Sequence, residues 1–318
     1  MTELLTALAV VVVVVTGLND GGTLLAPGLR VPTVSVFGSL AILTAAAVAV
    51  PLLVTTAVAS TMTESFVPAD RDGARVLAVG VAAAMVIVTA LARLELPTSL
   101  TLAIVGGIAG AGAGSDLAVA WTAVGRVLAI GAAAPALGCL LALCVARLWR
   151  TDSSSSFLAT VRWTHRAAFA LQSVAYGAND GQKMLVLFAA AGVAAGRGTS
   201  IRWWVYPVIA AGFALGAVAG LPRAARSVGT GVLNARQTDI VTAEVSAAAA
   251  VLGSAAVGAP VSMTQSTVGG LIGAGVHETA GRVRWQQASR LALAWVVTLP
   301  ATFALSALAG LAIRVLLL

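Results

Sequence analysis

Residues 16–26, TGLNDGGTLLA, and residues 176–186, YGANDGQKMLV, place the same Gly-x-Asn-Asp-Gly inside apolar sequence. A second pair recurs in the same order: PTSLTLAIVGGIAGAG (Pro97–Gly112) and PVSMTQSTVGGLIGAG (Pro260–Gly275). Asn19 and Asn179 lie 160 residues apart, and Ser99 and Ser262 lie 163 apart, each close to half of the 318-residue chain. Two motifs repeated in order at nearly one offset make an internal duplication. The chain therefore reads as two homologous repeats, 1–147 and 161–318, joined by a linker at 148–160 that holds Ser153–Ser156.

The repeats must fold in lipid. The chain is 59% hydrophobic and 10% charged, with a mean hydropathy of +0.98, whereas a soluble domain carries about 25% charge. That excludes a soluble enzyme, a disordered chain and a nucleic-acid binder, despite a net charge of +7. The basic excess is read as loop arginines at a membrane surface; of 19 basic residues only Lys183 is a lysine. Cys139 and Cys144 share one apolar stretch, so neither a disulfide framework nor a zinc site is implied. Uncharged runs near the roughly 20 residues a spanning helix needs are Val76–Ala92, Leu96–Ser115, Val127–Ala146, Trp203–Pro222 and Leu291–Ile313. Val31–Thr63 is longer and contains Pro51, and Val245–Val276 is divided by Gly258-Ala259-Pro260. Met1–Leu18 has Glu3 where a signal peptide would be basic, so it is read as part of the mature protein.

If the Asn-Asp and Pro-x-Ser-x-Thr segments each cross, every half has an odd number of crossings, and the second half is inverted relative to the first. Should they be re-entrant hairpins, that parity survives only when both fail to cross. With the termini outside, Arg30, Arg93, Arg147, Arg150, Arg162, Arg166, Arg223, Arg226, Arg236, Arg282, Arg284 and Arg290 fall in the cytoplasm. Arg71, Arg75, Arg126, Arg197, Arg202 and Arg314 remain outside, which agrees with the positive-inside rule. The expected fold is an all-α polytopic membrane protein of the inverted-repeat transporter type, with broken or re-entrant helices and about 10–12 membrane segments.

An ionised side chain at mid-membrane costs about 3 kcal/mol or more, so it faces a partner, water or a substrate. Asn19-Asp20 and Asn179-Asp180 sit beside glycines, which permit an unwound backbone. Unwinding is tolerable at that depth only where it lines a cavity or a ligand site. The plainer alternative is that these pairs cap helices near the interface. Ser99, Thr101, Ser262 and Thr264 follow prolines, as at a helix start, where free amides favour an anion; their oxygens can equally ligate a small hard cation. The glycines Gly106, Gly107, Gly269 and Gly270 read as close helix packing. Lys183 follows Asp180 by three residues on one helical face, so it either balances Asp180 or offers an ammonium to an anion. Glu244 is a lone acid in apolar sequence with no first-half counterpart, and is a functional candidate unless it lies shallow beside Asp239. His165 and His277 fall in polar links and read as surface residues.

GANDGQK at 177–183 resembles a signature of the inorganic phosphate transporter family, the Pit-type permeases, and GLND at 17–20 is similar to its first-half counterpart. Pro97–Leu102 and Pro260–Gln265 resemble the Pro-Val-Ser-Thr-Thr-His-type segment that the family carries in each half. The resemblance implies a cell-membrane symporter, usually a homodimer, that takes up inorganic phosphate with sodium or protons as coupling ion and no other cofactor. It implies phosphate contacts from Asn19, Asp20, Asn179, Asp180, Gln182, Lys183, Ser99, Ser262 and Thr264. For the coupling cation it implies Asp20, Asp180, Thr101, Thr264 and Glu244. The chain departs from the family pattern at Gly22-Thr23, at Leu100 and Met263 in place of a threonine, and at Leu102 and Gln265 in place of the histidine. Those losses leave room for proton coupling or a different oxyanion such as sulfate. Carboxylates beside an anion favour one that still carries a proton to donate, as phosphate does. Two other classes use the same residues differently: an anion channel, and an intramembrane aspartyl hydrolase whose dyad would be Asp20 and Asp180.

Overall fold

Lipid offers the backbone no hydrogen bonds, so apolar runs of this length close their own as helices. A computed structural model describes residues 1–29, 31, 33–53, 71–149, 155–198, 200–229 and 231–317. In the first half α1 (Thr2–Thr16) passes through a π turn (Gly17–Gly21) into α2 (Gly22–Gly28). Then come α3 (Val36–Leu53), α4 (Arg71–Arg93), α5 (Leu100–Gly114) and α6 (Trp121–Ala146). The second half repeats the series: α7 (Ser155–Tyr176), a π turn (Gly177–Gly181), α8 (Gln182–Ala194), α9 (Val205–Ala224), α10 (Gln237–Ala256), α11 (Met263–Glu278) and α12 (Trp285–Leu317). Seven helices among the described residues are long and apolar enough to cross a membrane. The chain is an all-helical, polytopic membrane protein. Arg30, Arg150, Ser153 and Ser154 and the end of the Val31–Thr63 run lie outside the described residues, and α7 begins inside the segment read as linker.

Both Asn-Asp stretches depart from the expected unwinding. Each is a single π turn within one continuous helix, with Gly22 N–H donating five residues back to the Gly17 carbonyl. A π turn keeps every amide bonded inside the helix and still shifts the following side chains around the axis. It meets the backbone's needs at membrane depth without opening the chain. The breaks occur instead between α4 and α5 and between α10 and α11, at the turns that carry Pro97 and Pro260.

The halves exchange partners. Helix α5 packs on α12, and its counterpart α11 packs on α6; α9 lies on the first π turn and α3 on the second. A Cβ on Gly17 would overlap the Phe213 carbonyl, and one on Gly177 would overlap that of Ala46. Gly107 and Gly269 likewise abut the backbones of Gly80 and Pro135. We expect Gly177→Val to destabilise the detergent-purified protein by about 1–3 kcal/mol, read as a lowered unfolding temperature. Gly253→Val, where the added carbons meet open space, should not.

Polarity runs opposite to that of a soluble protein. Leu215 (66% exposed) and Val296 (69%) face outward, while Asn19, Asp20, Asn179, Asp180, Gln182 and Lys183 are buried. Trp121, Trp203 and Trp285 stand exposed at or beside helix starts, where indole rings suit the lipid–water interface.

Candidate functional site

The two asparagines hold the two breaks in place. Asn19 Nδ2 donates to the Thr98 carbonyl (2.8 Å), and Asn19 Oδ1 accepts from Thr98 N–H (3.0 Å). In the second half Asn179 Nδ2 donates to the Ala259 carbonyl (3.0 Å), and its Oδ1 accepts from Val261 N–H (3.2 Å). Each carboxamide thus fixes the turn that leads into a short helix. Ser99 and Ser262 then cap those helices, accepting from Leu102 N–H (3.3 Å) and Gln265 N–H (3.4 Å). The remaining first-turn amides have no partner within the helix, and the positive dipole ends of α5 and α11 face this region.

The aspartates stand one residue further on, and each is tied to the opposite half. Asp20 Oδ1 accepts from Asn19 Nδ2 (2.7 Å) and from Thr264 Oγ1 (3.0 Å), at the start of α11. Asp180 Oδ1 accepts from Lys183 Nζ (2.6 Å), which also donates to Thr101 Oγ1 (2.6 Å), at the start of α5, and to the Val261 carbonyl (2.6 Å). Thr101 Oγ1 itself donates to the Val261 carbonyl (2.9 Å). Gln182 donates to the Ala178 carbonyl. Asn19, Asp20, Ser99, Thr101, Asn179, Asp180, Lys183, Ser262 and Thr264 therefore form one interlinked cluster, with Gln182 adjoining it.

Several buried atoms here lack a well-formed hydrogen bond among the described residues: Asp20 Oδ2, Asp180 Oδ2, the Tyr176 hydroxyl and Gln265 Oε1. The Tyr176 hydroxyl stands beside the Asp20 carboxylate, and the Met263 N–H beside that of Asp180. Two acceptors, a hydroxyl and a further acceptor, beside free helix amides, form a surface that can bind an anion carrying protons and a cation next to it. Tyr176 and Thr98 escaped the sequence reading. Tyr176 directly precedes the repeated motif, and Thr98 occupies the variable position of Pro-x-Ser. A cavity of about 10 Å³, room for one water, reaches Asn19 between Glu95, Pro97, Arg223 and Ser227. Outside it a cleft of about 340 Å³ is lined by Arg93, Glu95, Arg226 and Arg290. Its hydrogen bond with Arg226 holds the Glu95 carboxyl below the usual carboxylate range.

Glu244 is not part of this cluster. It is buried on α10, and Ser254, which Asn179 contacts, is ten residues further along, about 15 Å. Its side chain is packed inside the protein. Its Oε1 lies 3.3 Å from His165 Nε2, and both side chains are 2% exposed. The surface reading of His165 is thereby corrected; its Nδ1 meets the Thr33 hydroxyl. Val161, His165, Phe169, Gln172 and Tyr176 form one buried stripe on α7, while Arg162 and Arg166 face out. That stripe has helical spacing, and the flanking arginines mask it in a hydropathy window. His277 is exposed at the end of α11.

Residues 153–306 match the phosphate transporter family. A probable low-affinity inorganic phosphate transporter of Mycobacterium leprae is 32% identical over 299 residues, covering 89% of this chain and 71% of its own length. A protein of the same description from Bacillus subtilis is 29% identical over 223 residues, 67% of each chain. The solved structure of a sodium-dependent phosphate transporter superposes with a TM-score of 0.84 over 100% of this chain and 99% of its own, at 17% identity, and so shares the fold. The relatives that this chain resembles are described as transporters, not as hydrolases. Likeness to the Mycobacterium protein at that identity and coverage places the chain in the phosphate transporter family.

Proposed function

We propose that the protein is a symporter that carries inorganic phosphate across the cell membrane by alternating access, driven by a sodium or proton gradient. One observation carries this reading: both repeated motifs converge on one buried cluster built from both halves, with Thr264 reaching Asp20 and Lys183 reaching Thr101. A site shared across the interface of two repeats changes its exposure when the repeats move against each other. Free first-turn amides of α5 and α11 supply anion contacts. Asp20 and Asp180 accept the protons that phosphate carries and offer oxygens to the coupling cation. Thr101, Thr264, Ser99 and Ser262 complete the lining, and Asn19 and Asn179 act by holding the helix starts in place. The cleft bearing Arg93, Arg226 and Arg290 draws anions toward the buried cluster. The termini lie outside, the central linker is cytoplasmic, and the working form is a homodimer.

Proteoliposomes containing the purified protein should accumulate labelled phosphate above its equilibrium level when a sodium or proton gradient is imposed. Flux that only dissipates the phosphate gradient, under both cations, overturns the symport reading in favour of a channel. Sulfate carried in preference to phosphate overturns the substrate.

A further inference from the structure

The central cluster is not symmetric, and the asymmetry has a chemical meaning. Around Lys183 Nζ stand a carboxylate oxygen of Asp180, the Thr101 hydroxyl and the Val261 carbonyl, each at 2.6 Å. A carboxylate, a hydroxyl and a carbonyl are the oxygen donors a small hard cation takes in a protein. The 160-residue repeat maps Asp180 onto Asp20, and the 163-residue repeat maps Thr101 onto Thr264 and Val261 onto Thr98. Asp20 Oδ1 is in fact bonded to Thr264 Oγ1, and Asn19 binds the Thr98 carbonyl beside them. The counterpart of Lys183, however, is Thr23, whose hydroxyl turns back to the Asn19 carbonyl (2.6 Å). One half therefore has its cation covalently attached. The other presents the same donor types with Asp20 Oδ2 buried, without a well-formed hydrogen bond or a cation beside it among the described residues, and with the Tyr176 hydroxyl close by.

We propose that the Lys183 ammonium is a tethered substitute for one of two symmetry-related cations, so that the protein takes one mobile cation, on the Asp20 side, per transport cycle. The inference rests on the symport reading above and specifies its stoichiometry. Two carboxylates and one ammonium leave a formal charge of −1, which a single monovalent cation neutralises before an anion settles on the helix amides. Lys183 is thus a positioning and stoichiometry-setting residue, and removing it frees three oxygens for a second ion.

The test counts ions. Radioactive sodium bound to purified protein, measured without phosphate, should rise by one per chain in Lys183→Thr, which copies Thr23, relative to wild type. Lys183→Met, whose side chain still fills the space, should gain none. On wild type, the phosphate gradient that just balances an imposed cation gradient in proteoliposomes should report one coupling cation per phosphate. An unchanged sodium count in Lys183→Thr, an equal gain in Lys183→Met, or two coupling cations in wild type overturns the proposal. Two coupling cations in wild type overturn the proposal even if both variants fail to fold. Wild type that carries no phosphate instead removes the symport reading, while the phosphate-free sodium count still decides the role of the lysine.

Discussion

Asp20→Asn yields a folded protein that takes up phosphate at no more than about a tenth to a hundredth of the wild-type rate. The fold survives because the variant carboxamide oxygen can accept both hydrogen bonds that Asp20 Oδ1 now receives, from Asn19 and Thr264. The new amide nitrogen takes the place of Oδ2, which makes no well-formed hydrogen bond, and it can donate to the nearby Tyr176 hydroxyl. What disappears is the negative charge and one acceptor facing the ligands. Hydrogen bonds to charged groups are worth about 1.5–3 kcal/mol, and about 1.4 kcal/mol is tenfold in affinity, which sets the expected range. Uptake of labelled phosphate into proteoliposomes, beside an unchanged unfolding temperature and gel-filtration profile, checks it. Uptake within threefold of wild type would place the coupling and substrate sites elsewhere.

The duplication makes the fold and much of the cluster legible in the sequence itself. Asn19, Asp20, Asn179 and Asp180 stand out because polar residues in apolar sequence have few reasons to recur at one offset. The roles of neighbouring residues were harder to separate. Sequence order does not say that Asn19 faces the Thr98 backbone while Asp20 faces Thr264, because a π turn decides how adjacent side chains diverge, and glycine-rich sequence permits unwinding equally well. Lys183 left two readings open, an ion pair or an anion contact; the ion pair with Asp180 is formed. Glu244 reads beside the aspartates in sequence because all three are acids within apolar stretches, while the structure pairs it with His165. Its contact with His165 joins α10 to α7 across 79 residues of chain, and no local pattern encodes such a pairing.

The ion pair makes the two aspartates unequal in stability, and the second large effect follows from that. In Asp180→Asn the Lys183 ammonium stays 2% exposed and hydrogen-bonded only to neutral groups, the new carboxamide oxygen, Thr101 and Val261, with its one contacting countercharge gone. Breaking a buried pair by removing one partner costs about 3–5 kcal/mol, a large share of the about 5–15 kcal/mol that holds a typical domain folded. Asp20 has no basic partner among the described ion pairs, so Asp20→Asn orphans no charge. Asp180→Asn should therefore unfold well below Asp20→Asn in detergent, although both lose transport. Adding Lys183→Met to Asp180→Asn removes the stranded ammonium while keeping a side chain of similar length. The double variant should regain most of the lost stability and none of the transport, an interaction that a double-mutant cycle measures directly. Equal unfolding temperatures for the two single variants, or no recovery in the double, would mean that Asp180 does not hold the ammonium. The acid in each half would then be interchangeable, and the asymmetry between Lys183 and Thr23 would carry no energetic weight.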